Sequence, residues 1–237
     1  YAPLAHHTST PFVLYFHGND FLHPVIDPDR HLEARLSRVP GLWRFSKALT
    51  SPLIARIVKR RQAVINNALP AVQLIFFNST YTRDIASQLY DFGRIPLEVL
   101  YPGCDQQFFQ ARTARDDGVL RILTVSSLAS SARRKNIDHV LEALRLIKGE
   151  RLLMYTVIGS GDDRDRLQRK VQVLGIADCV RFLGNVDDQV LLQEYASNDV
   201  FVLTPRASQR DVEGFGMVYI EANAAGMPVI GSNQGGA

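Results

Sequence analysis

Short apolar runs alternate with amphipathic stretches along most of this 237-residue chain, and that alternation restricts the fold more than any other feature. Strand, helix and strand in repetition is the pattern of βαβ units on a parallel sheet. Residues 12–16 read as a first strand that ends at His17-Gly18-Asn19-Asp20. A long basic stretch follows, with a helix expected over 52–69. A strand over 72–77 comes next. Asn78-Ser79-Thr80 should cap a helix over 81–92 that stops at Gly93. Residues 97–100 read as a short strand and 101–105 (Tyr-Pro-Gly-Cys-Asp) as a turn.

Residues 106–118 are polar and aperiodic and make the best linker. The division expected is an N-terminal Rossmann-like domain over 1–108 and a C-terminal one over 109–237, both incomplete. The second series opens with a strand over 119–125 and a loop carrying Ser130, Arg133, Arg134 and Lys135. Ile137, Val140, Leu141, Leu144 and Ile147 then mark one helical face. A strand over 152–158 runs into Gly159-Ser160-Gly161. Asp162 should cap the next helix, with Leu167, Val171 and Leu174 inward and Gly175 at its end. Strands over 179–183 and 200–203, a helix over 188–196 between them, and a loop, helix and strand over 213–231 complete a doubly wound pattern. In such sheets ligands bind beyond the carboxyl ends of the strands.

Composition excludes several classes. Net charge is +3, too small for a nucleic-acid binder, and no apolar run approaches the roughly 18 residues that span a membrane. Cys104 and Cys179 match no metal spacing and no disulfide framework, which makes a reducing cytoplasm the default. No basic region followed by an apolar leader opens the chain, and it lacks an initiator Met, so a fragment is expected.

Chemistry concentrates in Glu213-Gly214-Phe215-Gly216-Met217-Val218-Tyr219-Ile220-Glu221-Ala222, followed by Ala225-Gly226-Met227-Pro228-Val229-Ile230. Gly214 and Gly216 flank the start of a helix and let a ligand approach the backbone. A helix N-terminus offers free N–H groups and about half a positive charge, which suits a diphosphate. Two carboxylates two helical turns apart can accept hydroxyls at two places on one elongated ligand. A nucleotide sugar has hydroxyls on its hexose and its ribose, with the diphosphate between them.

This segment resembles the signature of the family 4 retaining glycosyltransferases: Glu, seven residues, Glu, with Gly-Phe-Gly after the first and Ala-x-Gly-x-Pro-Val after the second. The resemblance implies the GT-B fold, an α/β architecture of two Rossmann-like domains facing across a cleft. It implies transfer of a hexose from a nucleoside-diphosphate sugar to an acceptor hydroxyl, lipid-linked or polysaccharide, without a metal. By the same resemblance Glu213 contacts the transferred sugar, the backbone at Gly214, Phe215 and Gly216 holds sugar and phosphate, and Glu221 binds the ribose. Gly159 belongs to the family's Gly-x-Gly turn, although Arg164 replaces the third glycine of a dinucleotide fingerprint. Leu183 lies in the strand whose backbone contacts the base, and His17 faces the donor sugar. Lys135 matches the family's phosphate-binding Lys. The usual Arg position is Ser127, and Arg133 or Arg134 takes its place from a longer loop. Within the family the segment looks closest to phosphatidylinositol mannoside mannosyltransferases.

Other readings compete. A nucleotide-sugar 2-epimerase of the same fold, or a non-catalytic nucleotide-binding module, would share the architecture. Glu213 and Glu221 could be a capping and a solvent-facing acid, and Arg133-Arg134-Lys135 a solvated turn. The triplets Asp27-Pro28-Asp29 and Asp163-Arg164-Asp165 read as structural, since neither follows a strand as a metal site requires. Between Asp27 and Arg61, nine Lys/Arg face three acids. That stretch is either a solvated helical face or a peripheral contact of residues 30–61 with an anionic membrane. The membrane reading predicts that neutralising the Lys/Arg cluster of residues 30–61 abolishes co-sedimentation with anionic liposomes; unchanged binding ends it.

Overall fold

The computed structural model describes residues 11–17, 63, 65–109, 112, 115–206 and 213–236. Contacts divide these into two units. The first holds the described residues up to Tyr101 together with 213–215 and 236; the second holds 102–206 and 216–235.

The first unit is built on a parallel sheet of β1 (Phe12–Phe16), β2 (Val72–Phe77) and β3 (Leu97–Val99), in that order. Central β2 contributes Ile75 and Phe77, both fully buried. Phe16 stacks on Phe77 at 5.6 Å and Phe92 meets the same ring edge-on at 6.0 Å. Helix α1 (Thr80–Leu89) starts at Ser79, which accepts from Thr82 N at 3.1 Å while Thr82 Oγ1 accepts from Ser79 N at 3.0 Å. The helix stops short of the expected Phe92 because Tyr90 and Phe92 turn inward onto the core. Gly93, at φ 58°, makes the turn beyond them. Most of the helix expected over 52–69 lies outside the described residues; residues 65–68 are helical and lead through a 3-10 turn (Leu69–Ala71) into β2.

The second unit opens with a 3-10 turn (Gln106–Phe108) at the start of the segment read as a linker, and Phe108 is buried in its core. One aromatic anchor is enough to fix a segment whose composition is otherwise polar. The sheet contains β4 (Val119–Val125), β5 (Leu152–Ile158), β6 (Val180–Gly184), β7 (Val200–Val202) and β8 (Val229–Ile230). All pairings are parallel, in the order β6-β5-β4-β7-β8. The order reverses at β4, so α2 (Ile137–Ile147) and α3 (Arg164–Val173) cover one face, and α4 (Asp188–Ser197) and α5 (Met217–Ala224) the other. Alternate residues of β4 serve the two cores: Ile122 with α2 and α3, Leu123 with α4 and α5. Strands buried on both faces are mostly apolar, as these are, with Arg121, Thr124, Thr156 and Arg181 the polar exceptions.

Asp163, not Asp162, occupies the N-cap of α3, and its side chain makes no capping bond. It is instead the hub of an ion network. Buried to 5% side-chain exposure, Asp163 accepts from Arg133 Nη2 and Arg166 Nη2, each at 2.6 Å. Arg166 also forks onto Asp138 of α2 with two bonds of 2.7 Å, and Lys170 bridges Asp138 and Glu142. Burial pushes the Asp163 carboxyl up, and the bonds from Arg166 and Arg133 more than reverse that, holding it below the ordinary range. The Arg166 bonds hold Asp138 well below it too. Among the described residues no helix is long and apolar enough to cross a membrane.

Depressed carboxyls stabilise the fold above their unfolded pKa, about 4, and lose that contribution as pH falls through the folded values. Urea unfolding should therefore show constant stability from pH 7 to 5 and a decline below pH about 4. Asp163→Ala strips Arg133 of its carboxylate and leaves Arg166 with Asp138 alone, and should cost about 2 kcal/mol at pH 7.

Candidate functional site

The carboxyl edge of the second sheet is assembled from the loops after β4, β5, β6 and β7, on either side of the reversal at β4. The β4 and β5 loops continue each other's pairing past the strands. Ser126 N donates to Ile158 O at 2.9 Å, and Leu128 N to Ser160 O at 2.8 Å. A β-carbon on Gly159 would lie 1.9 Å from Ser126 O, and one on Gly161 2.0 Å from the Leu128 carbonyl carbon. The Gly-x-Gly turn is thus required by loop-to-loop packing before any ligand is considered. Asp162 closes the seam by accepting from Ser130 N at 2.6 Å and Ser130 Oγ at 2.7 Å, which is why it does not cap α3.

The loop expected after β4 contains a 3-10 helix (Ser130–Lys135) that ends at Asn136, in the left-handed region at φ 65°. Asn136 Nδ2 donates to Thr204 O at 3.0 Å and Arg206 N donates to Arg134 O at 2.7 Å. The basic loop is thereby tied across the reversal to the loop after β7. Arg133 directs Nε and Nη2 at Asp163. Lys135 and Arg134 follow Arg133 in the same turn. Ser127, where the family places its Arg, accepts from Ala129 N at 3.3 Å. Leu183 lies half-buried at the end of β6, beside Gly184, whose carbonyl accepts from Gly159 N at 2.8 Å.

Helix α5 begins at Gly216, whose φ of 80° disfavours any residue with a β-carbon, and no side chain caps it. Tyr219 in its first turn is buried and donates to Leu203 O at 2.7 Å, fixing the helix to the end of β7. Glu221, one turn further on, is half-buried and accepts from Tyr195 at 2.8 Å.

The other expected residues, His17, Glu213, Gly214 and Phe215, fall in the first unit; Lys135, Arg133, Arg134, Gly159, Leu183, Gly216 and Glu221 fall in the second. His17 follows β1, its ring 4.5 Å edge-on from Tyr15 and its carbonyl accepting from Asn78 Nδ2 at 2.9 Å. Asp20 lies outside the described residues, as do Asp27, Asp29 and residues 30–61. Ser79 Oγ donates to Gly214 O at 2.6 Å, Gly236 N to Glu213 O at 2.7 Å, and Phe215 lies 6.0 Å from the Tyr101 ring. Asn78 and Ser79, read only as caps, therefore hold the backbones at His17 and Gly214. Their signal in the sequence is an Asn-Ser pair directly after a buried strand.

A groove of about 730 Å³ opens at the opposite, amino-terminal ends of β4, β5 and β6, lined by Arg115, Arg121, Arg181 and Glu194 among others. Arg121 pairs with Asp117 and Arg181 with Glu194. None of the expected site residues lines it, and in doubly wound sheets ligands use the other edge.

Comparison with known proteins gives the family and the fold. Residues 105–237 match the family described as glycosyl transferases group 1, and the chain belongs to that family. The GDP-mannose-dependent alpha-(1-6)-phosphatidylinositol monomannoside mannosyltransferase of Mycobacterium tuberculosis is 31% identical over 188 residues, covering 74% of this chain and 48% of its own. Its namesake in Mycolicibacterium smegmatis is 32% identical over 193 residues, covering 78% and 49%. The chain spans about half the length of these curated relatives. Anabaena HepE, solved with UDP and glucose, superposes with a TM-score of 0.67 at 20% identity, over 99% of this chain and 56% of its own. Sucrose-phosphate synthase from Thermosynechococcus elongatus gives 0.68 at 19%, over 99% and 53%. At such identities the likeness concerns the fold, which is that of the GT-B glycosyltransferases.

Asn136 offers a test of the bridge across the reversal. Asn136→Gly loses the bond to Thr204 but keeps φ > 0 accessible; Asn136→Ala loses both. The Ala variant should be the less stable by about 1 kcal/mol in urea unfolding.

Proposed function

We propose that the protein is a retaining glycosyltransferase that moves mannose from GDP-mannose to a hydroxyl of a lipid-linked glycan. The observation that carries this reading is the uncapped N-terminus of α5, opened by Gly216 at φ 80° on the carboxyl edge, with Glu221 behind it. The mannosyl donor and lipid acceptor are those named for the M. tuberculosis and M. smegmatis relatives.

In this reading the donor diphosphate lies against the first N–H groups of α5. Lys135, Arg134 and Arg133 supply positive charge, Arg133 from a fixed position because Asp163 holds two of its nitrogens. Glu221 binds the ribose, the strand end at Leu183 and the turn at Gly159 border the base, and Glu213 with the backbone of Gly214, Phe215 and Gly216 takes the hexose. His17 orients the hexose. The anomeric carbon leaves the phosphate oxygen and bonds the acceptor oxygen on the same face, and the acceptor proton passes to the departing phosphate. No protein nucleophile is needed. Negative charge grows on the diphosphate during this step, and one preorganised donor to it is worth about 3–4 kcal/mol of barrier. Metal is not required, because the basic loop fills that role. The protein acts in the cytoplasm, at the inner face of the membrane where a lipid acceptor is presented.

Thermal shift of the full-length protein against GDP-, UDP- and ADP-sugars should favour the GDP sugar, and chelation with EDTA should leave turnover unchanged. Lys135→Ala should lower kcat by about 100-fold or more. Glu213→Ala should lower turnover far more than nucleotide affinity; retained turnover in that variant, or an epimerised free sugar as product, overturns the reading.

A further inference from the structure

Glu221 is held from behind. Tyr195, on the inner face of α4, donates its hydroxyl to Glu221 Oε2 at 2.8 Å. The Tyr195 side chain is 1% exposed. Its ring stacks on Phe201 of β7 at 6.2 Å and is met edge-on by Phe108 at 5.6 Å. All four residues belong to the second unit. Phenylalanine would fill the same space, so the hydroxyl is the one part of this side chain that packing does not require. A buried hydroxyl is costly unless it is bonded, and among the described residues the bond to Glu221 is the one it makes.

Burial, then the charge of Glu221, then the bond to it raise the Tyr195 phenol far above its ordinary range. It therefore keeps its proton at any physiological pH and acts toward Glu221 as a donor. Glu221 Oε1, in contrast, has no hydrogen-bond partner among the described residues. A glutamate reaching a ligand from a helix must otherwise freeze several side-chain torsions on binding, and that loss weakens the complex. A carboxylate already pinned through one oxygen avoids most of it.

The geometry assigns Tyr195 as a positioning residue that locks the Glu221 carboxylate and presents Oε1 to the vicinal hydroxyls of a ribose. The assignment rests on the nucleotide-sugar reading, and it adds a determinant of ribose recognition that touches no ligand itself. The two lone pairs of Oε1 can accept both hydroxyls of the diol.

The test compares a nucleoside diphosphate with its 2′,3′-dideoxy form by calorimetry on the full-length protein. GDP is the probe, or whichever of UDP and ADP binds the wild type more tightly. The wild type should prefer the ribose form, and Tyr195→Phe should shrink that preference by about tenfold while leaving affinity for the dideoxy form unchanged. In a Glu221→Ala background, Tyr195→Phe should have no further effect on either nucleotide. Equal weakening of both nucleotides by Tyr195→Phe would mean a role in packing alone and would overturn the assignment, as would an undiminished preference in that variant. A wild type that binds none of the three nucleotides removes the nucleotide site itself and Tyr195's role with it, whereas one that binds both sugar forms equally overturns the assignment and leaves the nucleotide site standing. The two failures are therefore distinguishable.

Discussion

β4 must be satisfied on both edges and both faces at once, and the second unit is arranged around that requirement. Its backbone groups pair with β5 on one side and β7 on the other. Its side chains alternate between two separate cores. Buried polar atoms on this strand are bonded too: Thr124 accepts from Tyr155 OH at 2.8 Å and itself donates to the Val202 carbonyl. Because parallel crossovers are right-handed, the helices that lead outward to β5 and β6 lie on one face and those that lead to β7 and β8 on the other. The order reverses at β4, which makes a place where two loops diverge and a ligand can enter.

That place is stiffened by charge as well as by backbone. Taking the Asp163 carboxylate out of water is expensive, and only excellent partners can compensate. Arg133 and Arg166 provide four bonds between them. Arg133 comes from the basic loop and Arg166 from α3, which also holds Asp138 of α2. One buried acid thus fixes the loop that carries the positive charge relative to both helices of that face. Conformational freedom is removed before a ligand arrives, which is the condition for electrostatic preorganisation.

Most strands and helices were legible because their apolar periods are clean. The faces of α2 and α3, at Ile137, Val140, Leu141 and Leu144 and at Leu167 and Val171, are buried as their spacing implies. The family was legible in residues 213–230. What escaped was set by contacts between residues far apart in sequence. Asp162 looks like a cap, but Ser130 lies 32 residues away and bonds it more directly. The end of α1 depends on where two aromatic rings find a core, which helical periodicity does not encode. Phe108 sits in a run too polar to announce a buried anchor. Tyr195 and Ser79 are ordinary in sequence, and their partners, Glu221 and Gly214, are 26 and 135 positions distant. The expected site residues were named by type, spacing and family resemblance, whereas the side chains that bond to Glu221 and Gly214 became visible only in the fold.

The seam between the β4 and β5 loops has a consequence for anyone who would graft one family member onto another. Residues 126–130 and 158–163 share alternating backbone bonds, two glycines with no room for a methyl group, and a clasp from Asp162 to Ser130. Neither loop is an independent module. An exchange of the basic loop alone would present the Gly-x-Gly turn with a foreign contour, and lengthening either loop by one residue would throw the bonds out of step. The heritable unit of variation at this edge is the pair, so chimaeras should carry both stretches from a single parent.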